Sequence, residues 1–64
     1  MKRSSFIKHL LENGCELLRE GANHSIYRNK ANGKQSSVGR HQELDNLMCK
    51  KICKQLEIPD MKKG

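Results

Sequence analysis

The sequence predicts a two-layer α+β domain in the order α-β-β-β-α, with two helices on one face of a three-stranded antiparallel sheet. Three observations predict it. Apolar residues at helical spacing open and close the chain, at Phe6, Ile7, Leu10 and Leu11 and again at Cys49, Ile52, Cys53 and Leu56. Three short segments lie between them, divided by the turn signals Gly21-Ala22-Asn23 and Asn32-Gly33. Short links between successive strands imply an antiparallel meander, whose apolar face two amphipathic helices can cover.

The chain has 64 residues, enough for one domain. A domain of this size buries only about 60% of its unfolded surface, so its core is thin. Phe6 and Tyr27 are the only large rings. Aliphatic residues are therefore expected to carry the core, at Ile7, Leu10, Leu11, Leu17, Leu18, Ile26, Val38, Leu44, Leu47, Ile52, Leu56 and Ile58. The domain is expected to span residues 1–59, with 60–64 as a loose tail.

In order, Met1-Lys2-Arg3 reads as a frayed basic start. Ser4 or Ser5 is expected to cap a helix over about residues 5–13, because a hydroxyl accepts from the free N–H groups of a first turn. Gly14 can end it in the left-handed conformation. Cys15 to Glu20 reads as a strand with imperfect alternation, since Leu17 and Leu18 are adjacent. His24 to Asn29 is the second strand, with His24, Ile26 and Arg28 on one face and Ser25 and Tyr27 on the other. Gln35 to Val38 is a short, polar third strand. Asp45 or Asn46 caps the last helix, and Pro59 stops it. Lys50, Lys51 and Lys54 fall on its solvated side.

Thirteen Lys and Arg against seven Asp and Glu leave a net charge of +6. That balance favours a polyanionic partner: nucleic acid, an anionic membrane surface or an acidic protein. The longest apolar run is far too short to span a membrane. Three cysteines without zinc-site spacing read as buried, reduced thiols in a cytoplasmic protein. No carboxylate cluster or metal-ligand set is evident, so no metal or other cofactor is expected.

His24 opens the second strand, and Arg28, Lys30, Lys34 and Arg40 follow it. Histidine suits proton transfer because its unperturbed pKa is about 6.5. From the residues alone, two readings stand for His24. It is either an inert strand histidine sharing a face with Ile26, a core candidate, or the proton carrier of a phosphodiester site. His41, beside Arg40, is a second candidate, as partner acid, as phosphate contact or as an ordinary loop residue. Tyr27 is either a core ring or a platform for a base. The four cations would hold phosphates, giving affinity without sequence preference, or form a solvated basic face. His9 reads as solvated.

Three blocks together resemble the HicA-type toxins, small mRNA-cleaving partners in toxin–antitoxin pairs. The first is Ser4-Ser5-Phe6-Ile7-Lys8-His9-Leu10-Leu11-Glu12-Asn13-Gly14. The second joins Glu16-Leu17-Leu18-Arg19 to Asn23-His24-Ser25-Ile26-Tyr27-Arg28. The third is Val38-Gly39-Arg40-His41, then Glu43-Leu44, then Lys50-Lys51-Ile52-Cys53-Lys54-Gln55-Leu56-Glu57-Ile58. The likeness spans residues 3 to 59. It implies a double-stranded-RNA-binding-like fold, a metal-independent endoribonuclease with a catalytic histidine at His24, and a HicB-type antitoxin covering that residue. Three positions depart from the family pattern. The glycine two places before the histidine is Ala22, with Gly21 one place earlier; the serine between is Asn23; the glycine before the closing Ile is Glu57. Two further readings fit the same fold and charge: a non-catalytic RNA-binding module, and an inactive member that only binds its antitoxin.

Overall fold

A computed structural model describes residues 1–61. Its elements are α1 (Arg3–Glu12), β1 (Cys15–Glu20), β2 (His24–Asn29), β3 (Gln35–Gly39) and α2 (Asn46–Leu56), in the expected order. The strands form one antiparallel sheet in the order β1-β2-β3. Both helices lie on the same face of it: Phe6 and Leu10 from α1 and Cys49, Ile52, Cys53 and Leu56 from α2 share one core with Cys15, Tyr27 and Val38. No helix among the described residues is long and apolar enough to cross a membrane.

The first helix starts earlier than expected, and neither serine caps it. Lys2 is the N-cap and makes no side-chain cap hydrogen bond. The segment after β3 replaces the cap: the Arg3 N–H donates to the Gln42 carbonyl at 2.8 Å, and the Leu44 N–H donates to the Met1 carbonyl at 2.8 Å. The basic start is thus held in place by a β-bridge between Lys2 and Glu43. At the other end Gly14 takes φ 83, the left-handed position expected of it.

The core is less aliphatic than expected. Leu11, Leu17, Leu18 and Leu47 are exposed, whereas Phe6, Tyr27 and all three cysteines are buried. A bulge between Leu17 and Arg19 takes Leu18 out of register in β1. Burial pushes each thiol up, Cys53 to about 11, so the thiols stay protonated and unreactive near neutral pH. His9 is half-exposed, and its ring is engaged rather than free. Its Nε2 bonds the Pro59 carbonyl at 2.7 Å, tying α1 to the chain beyond α2. Of the expected loose tail, Met61 packs against the core, and residues 62–64 lie outside the described residues.

Asp45 caps α2 by accepting from the Leu47 N–H at 2.8 Å. The helix ends with Ile58 N–H donating to Cys53 and Glu57 N–H to Lys54, the paired bonds of a Schellman turn. That turn puts Glu57 at φ 59, a left-handed conformation that costs an L-residue about 1–2 kcal/mol. Glu57 also reaches Lys34 across 3.7 Å, but both side chains are more than half exposed and such pairs contribute little. Glu57→Gly is therefore expected to stabilise the domain by about 1 kcal/mol, raising Tm by roughly 5 °C. A thermal melt showing no gain would mean that the ion pair outweighs the backbone strain.

Candidate functional site

Strand β2 decides where His24 points. Ser25, Tyr27 and Asn29 are buried toward the helices, so His24, Ile26 and Arg28 occupy the opposite, uncovered face. Ile26 is half-buried on that open face rather than in the core, which removes the reason to read His24 as a core-facing residue. His24 is exposed, and its ring makes no hydrogen bond among the described residues. The turn before it is tight. The Gly21 N–H donates to the His24 carbonyl at 2.7 Å. A Cβ on residue 21 would stand 2.9 Å from that same oxygen, too close without a shift of backbone. Ala22 is not left-handed, since Glu57 is the only non-glycine residue with positive φ among those described. The turn needs its glycine at 21, where it has one, and accepts alanine at 22.

His41 comes to the same place from just past the end of β3. Gly39 stands directly opposite His24 in the sheet, so its missing side chain would share the open face. The His41 Cδ2 lies 3.8 Å from where that Cβ would be.

Behind the open face, a polar cluster fixes this end of the sheet. Arg3 donates from Nε to the Gly39 carbonyl at 2.7 Å and from Nη2 to the Ser25 hydroxyl at 3.0 Å. The Ser25 hydroxyl donates to Glu20 Oε1, which also accepts from Arg40 at 2.9 Å. Ser25 is 1% exposed, so the cluster satisfies a buried hydroxyl. The Ser25 hydrogen bond, with help from the Arg40 and Arg3 charges, holds the Glu20 carboxyl below its ordinary 4.5, against a desolvation that works the other way. A carboxylate with a lowered folded pKa adds stability that is complete above the unfolded value and lost as pH falls through the folded one. Glu20→Gln is accordingly expected to flatten the fall of Tm below about pH 4.5. Parallel acid limbs for the two proteins would contradict this.

The expected cations divide. Arg28 is on the open face but is paired with Glu16 at 2.6 Å. Arg40 is paired with Glu20, and Lys34 with Glu57. Lys30 and Lys34 belong to the β2–β3 hairpin, at the far end of β2 from His24. Six residues at about 3.3 Å each separate Lys30 from His24, so one phosphodiester cannot touch both. Tyr27 is 6% exposed and faces the helices, so its ring is a core ring and cannot stack on a base. Arg19 escaped the sequence reading. It stands opposite Ile26 on the open face and has no carboxylate partner among the described residues. Lys2 and Arg3 escaped it too; with Ser4, Arg40, Gln42 and Glu43 they line a groove beside the polar cluster. No group of three or more metal-ligating side chains occurs among the described residues.

A family model for the HicA toxins of bacterial toxin–antitoxin systems matches residues 3–58. The chain belongs to the HicA toxin family. Membership makes it a toxin component that has an antitoxin as its partner. Searches of curated proteins and of solved structures find no match.

Proposed function

We propose that this HicA toxin is a metal-independent endoribonuclease that cleaves mRNA in the cytoplasm. His24 transfers the proton, and cations of the open face hold the phosphates. The observation that carries the reading is the position of His24: exposed and, among the described residues, without a hydrogen-bond partner and on a sheet face that no helix covers. An RNA strand can lie across that face. Cleavage without a metal needs a base for the 2′-OH, charge for the phosphorane and an acid for the leaving 5′-oxygen. An unpaired imidazole can take up or release a proton without breaking a structural bond. Arg19 stands on the same face, two residues along from His24, to stabilise the phosphorane, while Arg28, four residues along β2 and paired with Glu16, meets a flanking phosphate. Where the RNA leaves the open face past the end of β3, Lys2 and Arg40 of the neighbouring groove hold its flanking backbone, while Lys30 and Lys34 meet phosphates farther along the strand. A HicB-type antitoxin would silence the protein by covering His24, and its acidic residues would suit the surplus positive charge.

The test is purified protein incubated with RNA in excess EDTA, with analysis of the product ends. Products with a 2′,3′-cyclic phosphate and a 5′-OH are expected. RNA retained by the protein but left intact would identify a binding module instead. RNA neither bound nor cut, by a protein that still binds its antitoxin, would identify an inactive member.

A further inference from the structure

We propose that His41 is the second catalytic group, the general acid to a general base at His24. The proposal rests on the nuclease reading above and names the group that reading leaves open. Its basis is the seat at Gly39. Directly opposed residues of an antiparallel pair share a face and place their Cβ atoms about 5 Å apart. Gly39 opposes His24 and has no Cβ, and the His41 ring lies 3.8 Å from the vacated position. The two imidazoles therefore approach the same part of the open face, His24 from the start of β2 and His41 from the segment just past β3.

The neighbouring residues support this placement. Arg40 turns the other way, to Glu20, whose backbone pairs with buried Ser25. His41, two residues past the end of β3, comes back to the side of Gly39, its Cδ2 within 3.8 Å of the Gly39 Cβ position. The seat itself is held from behind, because the Gly39 carbonyl accepts from Arg3 Nε at 2.7 Å. No hydrogen bond occupies the His41 ring among the described residues, so it too is free to exchange a proton.

The step balances as a transesterification. Neutral His24 takes the 2′-OH proton as the 2′-oxygen bonds to phosphorus. The bond from phosphorus to the 5′-oxygen breaks, and protonated His41 gives its proton to that departing oxygen. The products are a 2′,3′-cyclic phosphate and a 5′-OH, and water returns the two rings to their starting states.

The experiment uses the full chain and an RNA with one cleavable linkage, made either with its normal 5′-oxygen or with sulfur in that bridging position. A thiolate leaves without being protonated, so the sulfur substrate needs no acid. His41→Ala is expected to lose about 10²-fold or more on the oxygen substrate, to recover most of that on sulfur, and to keep its RNA affinity. His24→Ala should be slow on both. If His24→Ala is slow but His41→Ala cleaves at the parental rate, is equally slow on both substrates, or loses only affinity, the acid role is overturned while the nuclease reading stands. If His24→Ala itself cleaves at the parental rate, it is the nuclease reading that falls. Gly39→Val supplies an independent check, since its extra methyl groups would occupy the place of the ring. It is expected to cleave as slowly as His41→Ala without a lower Tm, and adding His41→Ala to it should cost nothing more. Parental cleavage by Gly39→Val would overturn the seat.

Discussion

His24→Ala is expected to slow RNA cleavage about 10²–10⁴-fold, the usual contribution of a positioned proton-transfer group. That loss corresponds to about 2.7–5.5 kcal/mol of transition-state stabilisation. The same substitution should leave the fold almost untouched. His24 is exposed and its ring holds no hydrogen bond among the described residues, so its removal creates no cavity and orphans no partner. Surface changes of this kind stay within about 0.5 kcal/mol. A matched pair of measurements checks the prediction: single-turnover cleavage and a thermal melt for parent and variant. Cleavage at the parental rate would remove His24 from the chemistry. A melt lowered by many degrees would show that the residue is structural, and the lost activity would then say nothing about catalysis.

Much of the frame was legible because it depends on local pattern. The i, i+3, i+4, i+7 set at Cys49, Ile52, Cys53 and Leu56 can bury one face only as a helix, and all four residues are buried. Alternation along β2 correctly separated His24 and Arg28 from Ser25 and Tyr27. What alternation could not tell was which face the helices would cover. Ile26 suggested one face and Tyr27 the other, and the larger ring went to the core. Phase was lost altogether in β1. Uninterrupted alternation from Cys15 would place Arg19 on the helix side, but the bulge at Leu18 turns it to the open face, where it joins the site. A bulge leaves no fixed mark in the sequence, although the adjacent pair Leu17-Leu18 in a two-faced strand was a signal that the alternation fails there.

The polar cluster was illegible for another reason. Glu20 and Ser25 oppose each other across the β1–β2 turn, but Arg3 and Arg40 come from distant segments and no local spacing brings them to that pair. Nor could composition show that β-pairing with residues 42–44 would cap α1 in place of a serine. The departure at residue 22 from the family's usual glycine becomes intelligible only with backbone angles. The close approach is at Gly21, and alanine one place later meets no left-handed requirement.

Phe6→Ala is expected to cost about 3–5 kcal/mol, the range for emptying a buried aromatic site. The ring is fully buried and joins the two helices to the sheet in a core with one other aromatic residue. It also stacks on His9, centroids 6.4 Å apart, and His9 in turn holds the Pro59 carbonyl. A chain of this length has only about 3–10 kcal/mol of stability in total. The loss should therefore lower Tm by roughly 15–30 °C and leave much of the variant unfolded at 37 °C. Phe6→Leu, which keeps most of the volume, should lose far less. These outcomes also separate folding from chemistry. Phe6→Ala should lose cleavage together with its melting transition and regain part of both on cooling, because its open face is intact whenever the chain is folded. His24→Ala should stay folded and slow at every temperature. A Phe6→Ala protein that melts within a few degrees of the parent would show that the thin core does not depend on this ring.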